Sequence, residues 1–195
     1  VAQASAQTIF DLLDSKASVT ESTDASVDGQ LMPSVTFEKV KFTYPGGRQT
    51  THSGLDFQIG VGERVGFVGS SGAGKSSIVR LLLRFYDPHE GSVKIGGQNL
   101  RDLTFDEIRS QIAVVNQDTF LFHGSVEENL RLGTDMRQDK KKIEEDFERV
   151  ISYFPFMKKR LSTLGGKLSG GEQQRVAIGV ALANGPALLL SLIHI

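Results

Sequence analysis

The sequence predicts an α/β fold with a strand, loop and helix core, further short strands around it and a helical part. Three observations predict it. The apolar run at residues 64–68 leads into a glycine-rich loop and then a helical pattern, which is the order of a β-loop-α unit. Short stretches around this unit alternate apolar and polar side chains, as half-buried strands do. From Val126 to about Leu161 the pattern is helical and charged.

The individual elements follow in chain order. Alternation predicts strands at residues 35–37, 40–42, 55–59 and 65–67. Residues 93–95 followed by two glycines predict a short hairpin, and residues 103–112 predict a helix that leads into a buried strand at 113–115. A last apolar strand begins at Ala187, after the Asn-Gly-Pro stop at 184–186.

Length and composition exclude several classes of protein. The 195 residues with 39% hydrophobic content suffice for one globular domain. The net charge of −1 gives no reason to expect nucleic acid, and the basic runs at 140–142 and 158–160 lie among acidic residues, as on a solvated helix face. There is no cysteine, which excludes disulfides and thiolate chemistry. The four histidines are interpreted as surface or packing residues.

No stretch of the sequence is predicted to cross a membrane or to be a secretory signal. Residues 176–195 are strongly apolar, but Asn184, Gly185 and Pro186 interrupt them. A spanning helix needs a sustained apolar run of about 20 residues, so membrane contact is expected only through a partner.

A phosphate-binding loop is predicted where the core strand meets the core helix. Residues 69–77 read Gly-Ser-Ser-Gly-Ala-Gly-Lys-Ser-Ser. The glycines let successive backbone N–H groups point at phosphate oxygens, and the helix that opens at Lys75 directs its positive dipole end at the same anion. Lys75 is expected to reach the β- and γ-phosphates, and the Ser76 hydroxyl to ligate Mg²⁺. A simple glycine turn is the alternative.

A second glycine turn opens a later helix. Residues 168–172 read Leu-Ser-Gly-Gly-Glu and precede a helical pattern that begins at Val176. Ser169 and the N–H groups of Gly170 and Gly171 form another anion-binding helix start, this time without a lysine. Such a site suits the completion of a phosphate site built elsewhere. An N-capped surface helix is the alternative.

Together, the phosphate loop, Gln117 and the Leu-Ser-Gly-Gly-Glu segment resemble the nucleotide-binding domain of an ATP-binding cassette (ABC) transporter. The resemblance implies a P-loop NTPase (RecA-like) core with an antiparallel β subdomain and an α-helical subdomain that carries the signature sequence. It places the ATP-binding domain at residues 35–190, with the helical subdomain at about 118–170. It also implies a second such domain, facing the first head to tail, with ATP and Mg²⁺ between them.

Finer features resemble the exporter branch of this family. Phe42-Thr43-Tyr44-Pro45 is similar to the A-loop, whose aromatic ring stacks on adenine, although Tyr44 could also be an ordinary strand aromatic. Residues 84–88 and 118–130 also look exporter-like. The resemblance implies that residues 1–14 end a membrane-domain helix, with a soluble cap helix as the alternative. Residues 15–34 are rich in Ser, Thr and Asp and have too little apolar content to pack, which predicts a linker. The resemblance places the domain at the cytoplasmic face of a membrane, attached to a transmembrane domain.

The resemblance assigns a role to each site residue. Lys75, Gln117 and Ser169 are the expected catalytic residues, and Ser76 and Gln117 the expected metal ligands. Gln117 would also sense the attacking water. The expected nucleotide-binding residues are Tyr44, Gly69, Ser70, Ser71, Gly72, Ala73, Gly74, Lys75, Ser76, Ser77, Leu168, Ser169, Gly170, Gly171 and Glu172.

The sequence departs from the family at its C-terminal end. Leu192 and Ile193 stand where the family has the Walker B aspartate and the glutamate that acts as general base. A missing general base typically costs ~10²–10⁴ in rate, so hydrolysis by the chain is expected to be slow or absent. Residues 191–195 are expected to be a non-native tail, and the fold to be incomplete at this end.

Two other functions stay open. A non-transport ABC protein acting on nucleic acid or ribosomes would need a basic patch, which the net charge does not favour. A degenerate cassette would bind ATP and serve only as a regulatory half.

Overall fold

The structure is a computed structural model that describes residues 19–21, 32–116, 118–134, 137 and 139–191. The predicted N-terminal helix, most of the predicted linker, Gln117 and residues 192–195 lie outside this part of the chain. The domain boundaries proposed above therefore stay predictions.

Six strands and five α-helices are found in the described residues. The strands are β1 (Val35–Phe42), β2 (His52–Ile59), β3 (Glu90–Ile95), β4 (Gln98–Asn99), β5 (Ile112–Val115) and β6 (Leu188–Ser191). The helices are α1 (Lys75–Leu82), α2 (Phe105–Gln111), α3 (Val126–Leu132), α4 (Lys140–Tyr153) and α5 (Gly170–Ala183). Short 3-10 segments lie at Leu100–Asp102, Pro155–Lys159 and Gly165–Lys167.

An antiparallel sheet in the order β2-β1-β3-β4 forms the β part. The two strands predicted at 35–37 and 40–42 are one strand, β1, with a bulge between them. Lys39 has a left-handed φ of 46° there. Gly91 lies opposite, and a Cβ on it would lie 2.2 Å from the Glu38 carbonyl oxygen. Only glycine therefore permits β3 to approach the bulge this closely.

The prediction of a strand at residues 65–67 is wrong, because the structure is irregular there. No strand in the described part of the chain pairs with it. A strand needs a neighbour for its backbone N–H and C=O groups, so the apolar pattern alone does not form one. Val68 is 88% exposed, and Phe67 packs its ring against Phe57 at 5.1 Å.

Strands β5 and β6 form a separate parallel pair, in register from Ile112 opposite Leu188 to Val115 opposite Ser191. Both strands were expected from their apolar runs. Ser191, the first residue of the expected tail, completes β6. A first core joins this pair, α1 and the antiparallel sheet; its largest fully buried side chains include Phe37, Phe42, Leu81, Leu103 and Ile108.

A second core lies among the helices α3, α4 and α5. Its fully buried members are Val126, Leu130, Val150, Met157, Val176 and Ala183. The helices approach closely at two glycines. A Cβ on Gly133 would lie 2.4 Å from the Val180 carbonyl oxygen, and one on Gly179 would lie 2.9 Å from Leu130 Cδ2. The backbones of the α3 C-terminus and α5 thus nearly touch.

Arg137 ties the start of α4 to the end of α5. Its guanidinium donates to Asp146 at 2.6 Å, to Asp139 at 2.7 and 2.9 Å, and to the Ala183 carbonyl at 3.1 Å. The bond to Asp139 is the main cause that raises the pKa of Arg137 further above its ordinary range. Arg137 and Asp146 are 16% and 11% exposed, so the pair is shielded from water and fixes the turn before β6.

His52 connects the β part to the start of α1. The residue is 8% exposed, and its Nε2 has no hydrogen-bond partner among the described residues. A Cβ on Gly74 would lie 2.6 Å from its Cε1, so the imidazole packs directly against this glycine. Burial lowers the pKa of His52, although the Gly74 backbone opposes this in part.

We predict that Gly133→Ala destabilises the protein by about 1–3 kcal/mol, because its Cβ would overlap the α5 backbone, which cannot rotate away as a side chain does. The free energy of unfolding from urea denaturation measures the effect. Gly166→Ala is the control, since a Cβ on Gly166 meets nothing within 4 Å. Equal stabilities of the two variants would contradict the close approach.

We also predict that His52 makes the protein less stable in acid. Its folded-state pKa is lowered, so as the pH falls through about 6.5 the unfolded state takes up the proton first. The stability is present above about pH 6.5 and is lost as the pH falls through the folded-state pKa.

The measurement is the urea midpoint between pH 7.5 and pH 5 for the protein and for His52→Leu, with the exposed His123→Asn as control. The midpoint of His52→Leu should fall less with acid than that of the other two. Parallel pH profiles for all three would be the contrary result.

Candidate functional site

The predicted phosphate loop is an exposed, irregular segment that ends at the first residue of α1. The helix begins at Lys75, as predicted, and Gly74 is its N-cap with a φ of 86°. Gly72 has a φ of 82°. Both values are left-handed, where a side chain is strained. Because Gly74 has no side chain to cap the helix, no capping side chain competes with an anion at the start of α1. The Ser77 N–H donates to the Gly74 carbonyl at 2.9 Å, so the N–H groups of Lys75 and Ser76 are the ones that an anion would use.

Lys75 folds back over this loop. Its Nζ donates to the carbonyl oxygens of Gly69 at 2.6 Å and Ser70 at 2.8 Å. The ammonium therefore lies beside the loop whose backbone would cradle phosphate. A cation at this position, next to a helix start, creates a local positive field.

The two serines after Lys75 differ in exposure. Ser76, the expected Mg²⁺ ligand, is exposed, whereas Ser77 is 4% exposed. The Ser77 hydroxyl is 2.8 Å from the Tyr44 hydroxyl. The structure thus brings Tyr44, predicted from a resemblance alone, onto the same helix turn as the phosphate loop.

Tyr44 belongs to an aromatic cluster beside α1. Its ring meets those of Phe42 and Tyr86 edge to face, at centroid distances of 4.8 and 5.2 Å. Arg80, one turn along α1 from Ser76, donates to the Tyr44 hydroxyl at 3.2 Å and places its guanidinium 5.6 Å from the ring centre.

The second predicted anion site is a capped helix start. Ser169 is the N-cap of α5, and the exposed Gly170 and Gly171 begin the helix. The Glu172 carboxylate accepts from the Ser169 N–H and hydroxyl, each at 2.9 Å, while the Ser169 oxygen accepts from the Glu172 N–H at 3.4 Å. This is a capping box. It orients the Ser169 side chain at the helix start, and buried Leu168 anchors the turn.

The charge of Glu172 is stabilised by the same contacts. The Ser169 backbone N–H and then its hydroxyl lower the pKa of Glu172. Arg160 lies 3.8 Å from the carboxylate. A negative side chain in the first turn offsets part of the helix dipole, so this helix start attracts an anion less strongly than one that also carries a lysine.

A groove lies between the end of β5 and α5. A cavity of about 190 Å³ is lined by β5, residues 118–122 and one face of α5. Phe120 and Phe122 lie on its rim, 76% and 59% exposed, with their rings edge to face at 5.4 Å. Such an exposed aromatic pair is typical of a surface that binds a partner.

Asn129 holds this rim in place, a role that the sequence did not reveal. The side chain is 2% exposed. It accepts from the Phe122 N–H at 2.8 Å and donates to the carbonyls of Phe122 and Ser125 at 3.1 and 2.9 Å. Its position four residues after the helix N-cap Ser125 is the only signal that could have indicated this contact.

The predicted site residues therefore form two groups in the structure. Tyr44 and residues 69–77 meet at the start of α1, whose buried side chains belong to the first core. Residues 168–172 lie at the start of α5, whose buried side chains belong to the second core. Gln117 lies outside the described residues.

The residues present fit a nucleotide with Mg²⁺. Two glycines in left-handed conformations, an uncapped helix start and a lysine converge on one exposed loop. The Ser76 hydroxyl, a suitable hard oxygen ligand, follows directly. Among the described residues there is no cluster of His, Cys, Asp and Glu that could hold a metal ion on its own.

Comparisons with known proteins identify the family to which this chain is similar. The model of the ABC transporter family matches residues 52–191. An ATM1-type heavy metal exporter of Novosphingobium aromaticivorans is 38% identical over 93% of this chain and 31% of its own length. The human mitochondrial iron-sulfur clusters transporter ABCB7 is 36% identical over 94% of this chain and 25% of its own length.

A solved structure extends the comparison to the fold. A bacterial Atm1-family ABC exporter with ATP bound superposes with a TM-score of 0.78 and 36% identity, over 95% of this chain and 33% of its own. The chain spans about a third or less of the length of these relatives. No helix in the described residues is long and apolar enough to span a bilayer.

The family match covers both halves of the candidate site, because the phosphate loop and the helix start at Ser169 fall within residues 52–191. The first of these relatives and the superposed structure are exporters by name, the second relative is a transporter by name, and the superposed structure shares the fold. The chain therefore belongs to the ABC transporter family, as a nucleotide-binding domain of the exporter type.

Proposed function

We propose that this chain binds Mg-ATP for a membrane exporter and that a second nucleotide-binding domain completes its site. The observation that carries the proposal is the pair of exposed helix starts at Gly74 and Ser169. The first has a lysine and no capping side chain, so it can hold phosphate alone. The second has a capping carboxylate and no lysine, so it suits an anion already held by another domain.

In this proposal each residue group has one task. The N–H groups after Gly74 and the Lys75 ammonium bind the β- and γ-phosphates, and the Tyr44 ring stacks on adenine. Ser76 and Gln117 hold Mg²⁺, which when bound neutralises charge on the phosphates. Ser169 and the N–H groups of Gly170 and Gly171 contact the γ-phosphate on the second domain. Electrostatic stabilisation by such fixed donors is usually the largest contribution to phosphoryl transfer.

The proposed membrane partner docks at the groove between β5 and α5. Phe120 and Phe122 provide exposed apolar surface, and Asn129 fixes the backbone of Phe122. Because Gln117 lies between this rim and β5 in the sequence, a residue that contacts the metal adjoins the surface that contacts the partner. ATP binding could then be coupled to a domain movement. We also propose that the chain lies at the cytoplasmic face of the membrane, as the resemblance to ABC exporters implies.

Turnover depends on residues beyond the phosphate loop. ABC transporters hydrolyse ATP, but Leu192 and Ile193 provide no carboxylate to orient or deprotonate water. We therefore propose that the chain binds nucleotide better than it hydrolyses it. The exporter relatives favour transport over the non-transport alternative. The degenerate-cassette alternative differs in predicting no turnover when a competent second domain is present.

We predict that Lys75→Ala weakens Mg-ATP binding at least tenfold, because charge-assisted contacts to phosphate are worth about 1.5–3 kcal/mol. Isothermal titration calorimetry of the full-length protein measures it. Lys140→Ala, on the exposed start of α4, is the charge-matched control. Unchanged affinity in Lys75→Ala, or an equal loss in Lys140→Ala, would remove the phosphate loop from the proposed site.

A further inference from the structure

We propose that the Tyr44 side chain closes the nucleotide site and that contacts with Ser77 and Arg80 keep it in the closed position. We call this set of three residues the latch. This inference rests on the proposed function, because it concerns the regulation of the same site. In the structure the phenol lies on the first turns of α1 instead of standing free beside the loop. Nucleotide would then have to displace Tyr44 before the ring could stack on the base.

The hydroxyl of Tyr44 has two partners on α1. The Ser77 Oγ is 2.8 Å away, and Arg80 Nη1 donates to the hydroxyl at 3.2 Å. Ser77 is 4% exposed, so its hydroxyl has little access to water. Each hydrogen bond of this kind is modest by itself, but the two together select one position of the phenol.

The ring of Tyr44 is held as well as its hydroxyl. The edge-to-face contacts with Phe42 and Tyr86 have interplanar angles of 73° and 87°. The guanidinium of Arg80 lies over the ring at 5.6 Å from its centre. A purine that stacks on this face of the ring would have to share it with the guanidinium.

The latched and nucleotide-bound arrangements compete for the same groups. Ser77 belongs to the phosphate loop, and its hydroxyl cannot bind Tyr44 and a phosphate oxygen in the same geometry. The apparent affinity for nucleotide is then the intrinsic affinity reduced by the fraction of molecules in which the latch is open. Removing the latch contacts should therefore tighten binding.

The same contacts could have the opposite effect. If Ser77 and Arg80 instead hold the ring where adenine stacks, then removing the hydroxyl would weaken ATP binding. A ligand without a base separates the two arrangements, because inorganic tripolyphosphate can gain from opening a latch but cannot stack on a ring.

The test is calorimetric titration of the full-length protein with Mg-ATP and with Mg-tripolyphosphate. Tyr44→Phe keeps the ring and removes the hydroxyl, and it should bind both ligands roughly 2- to 10-fold more tightly. Tyr44→Leu removes the ring, so it should bind ATP more weakly but tripolyphosphate more tightly. Tyr153→Phe, at an exposed tyrosine of α4, is the matched control and should change neither affinity.

The outcomes separate the latch from the proposed function. Tighter tripolyphosphate binding by both Tyr44 variants supports the latch. Unchanged or weaker tripolyphosphate binding by either variant overturns it, while the proposed function is judged independently by Lys75→Ala with the same ligands. Weaker ATP binding by Tyr44→Phe would also overturn the latch and would favour a fixed stacking platform.

Discussion

The site depends on a backbone constraint at Gly74, where the chain must turn from an irregular loop into a helix without a side chain in the way. The left-handed φ of this residue leaves the first turn of α1 uncapped. Packing makes the constraint stricter, because the buried His52 imidazole fills the space in which a Cβ would lie. The imidazole thus supports the loop from the β side, and this contact couples the antiparallel sheet to the anion site.

The second organising feature is the division between two cores. The phosphate loop leads into α1, whose buried side chains pack in the core of the antiparallel sheet. The Ser169 helix start leads into α5, whose buried side chains pack in the core of α3, α4 and α5. Within the helical core the contacts are close, since Gly133 and Gly179 bring the backbones together and Arg137 links two helix ends. Each half of the site is thereby fixed on its own scaffold, and an anion that joins two domains can use both.

Much of this arrangement could be predicted from the sequence because it depends on local chemistry. The helix start at Lys75, the capped start at Ser169, the hairpin of β3 and β4, and the strands β5 and β6 all follow from glycines, caps and short apolar runs. The strand at residues 65–67 could not be predicted correctly, because a strand requires a neighbour and the apolar pattern says nothing about one. Contacts between distant residues were also hidden. The spacing of residues in the sequence does not indicate that the Tyr44 and Ser77 hydroxyls form a hydrogen bond, or that the Asn129 side chain accepts from the Phe122 N–H.

The central claim is that two incomplete anion sites, on two domains, enclose one triphosphate. A photoactivatable group on the γ-phosphate of an ATP analogue tests it most directly, with the labelled peptides of the full-length protein identified by mass spectrometry. The account predicts that one bound nucleotide labels residues 69–77 of one domain and the Leu-Ser-Gly-Gly segment, or its counterpart, of the other. Labelling confined to the phosphate loop, with residues 168–172 never modified, would contradict it.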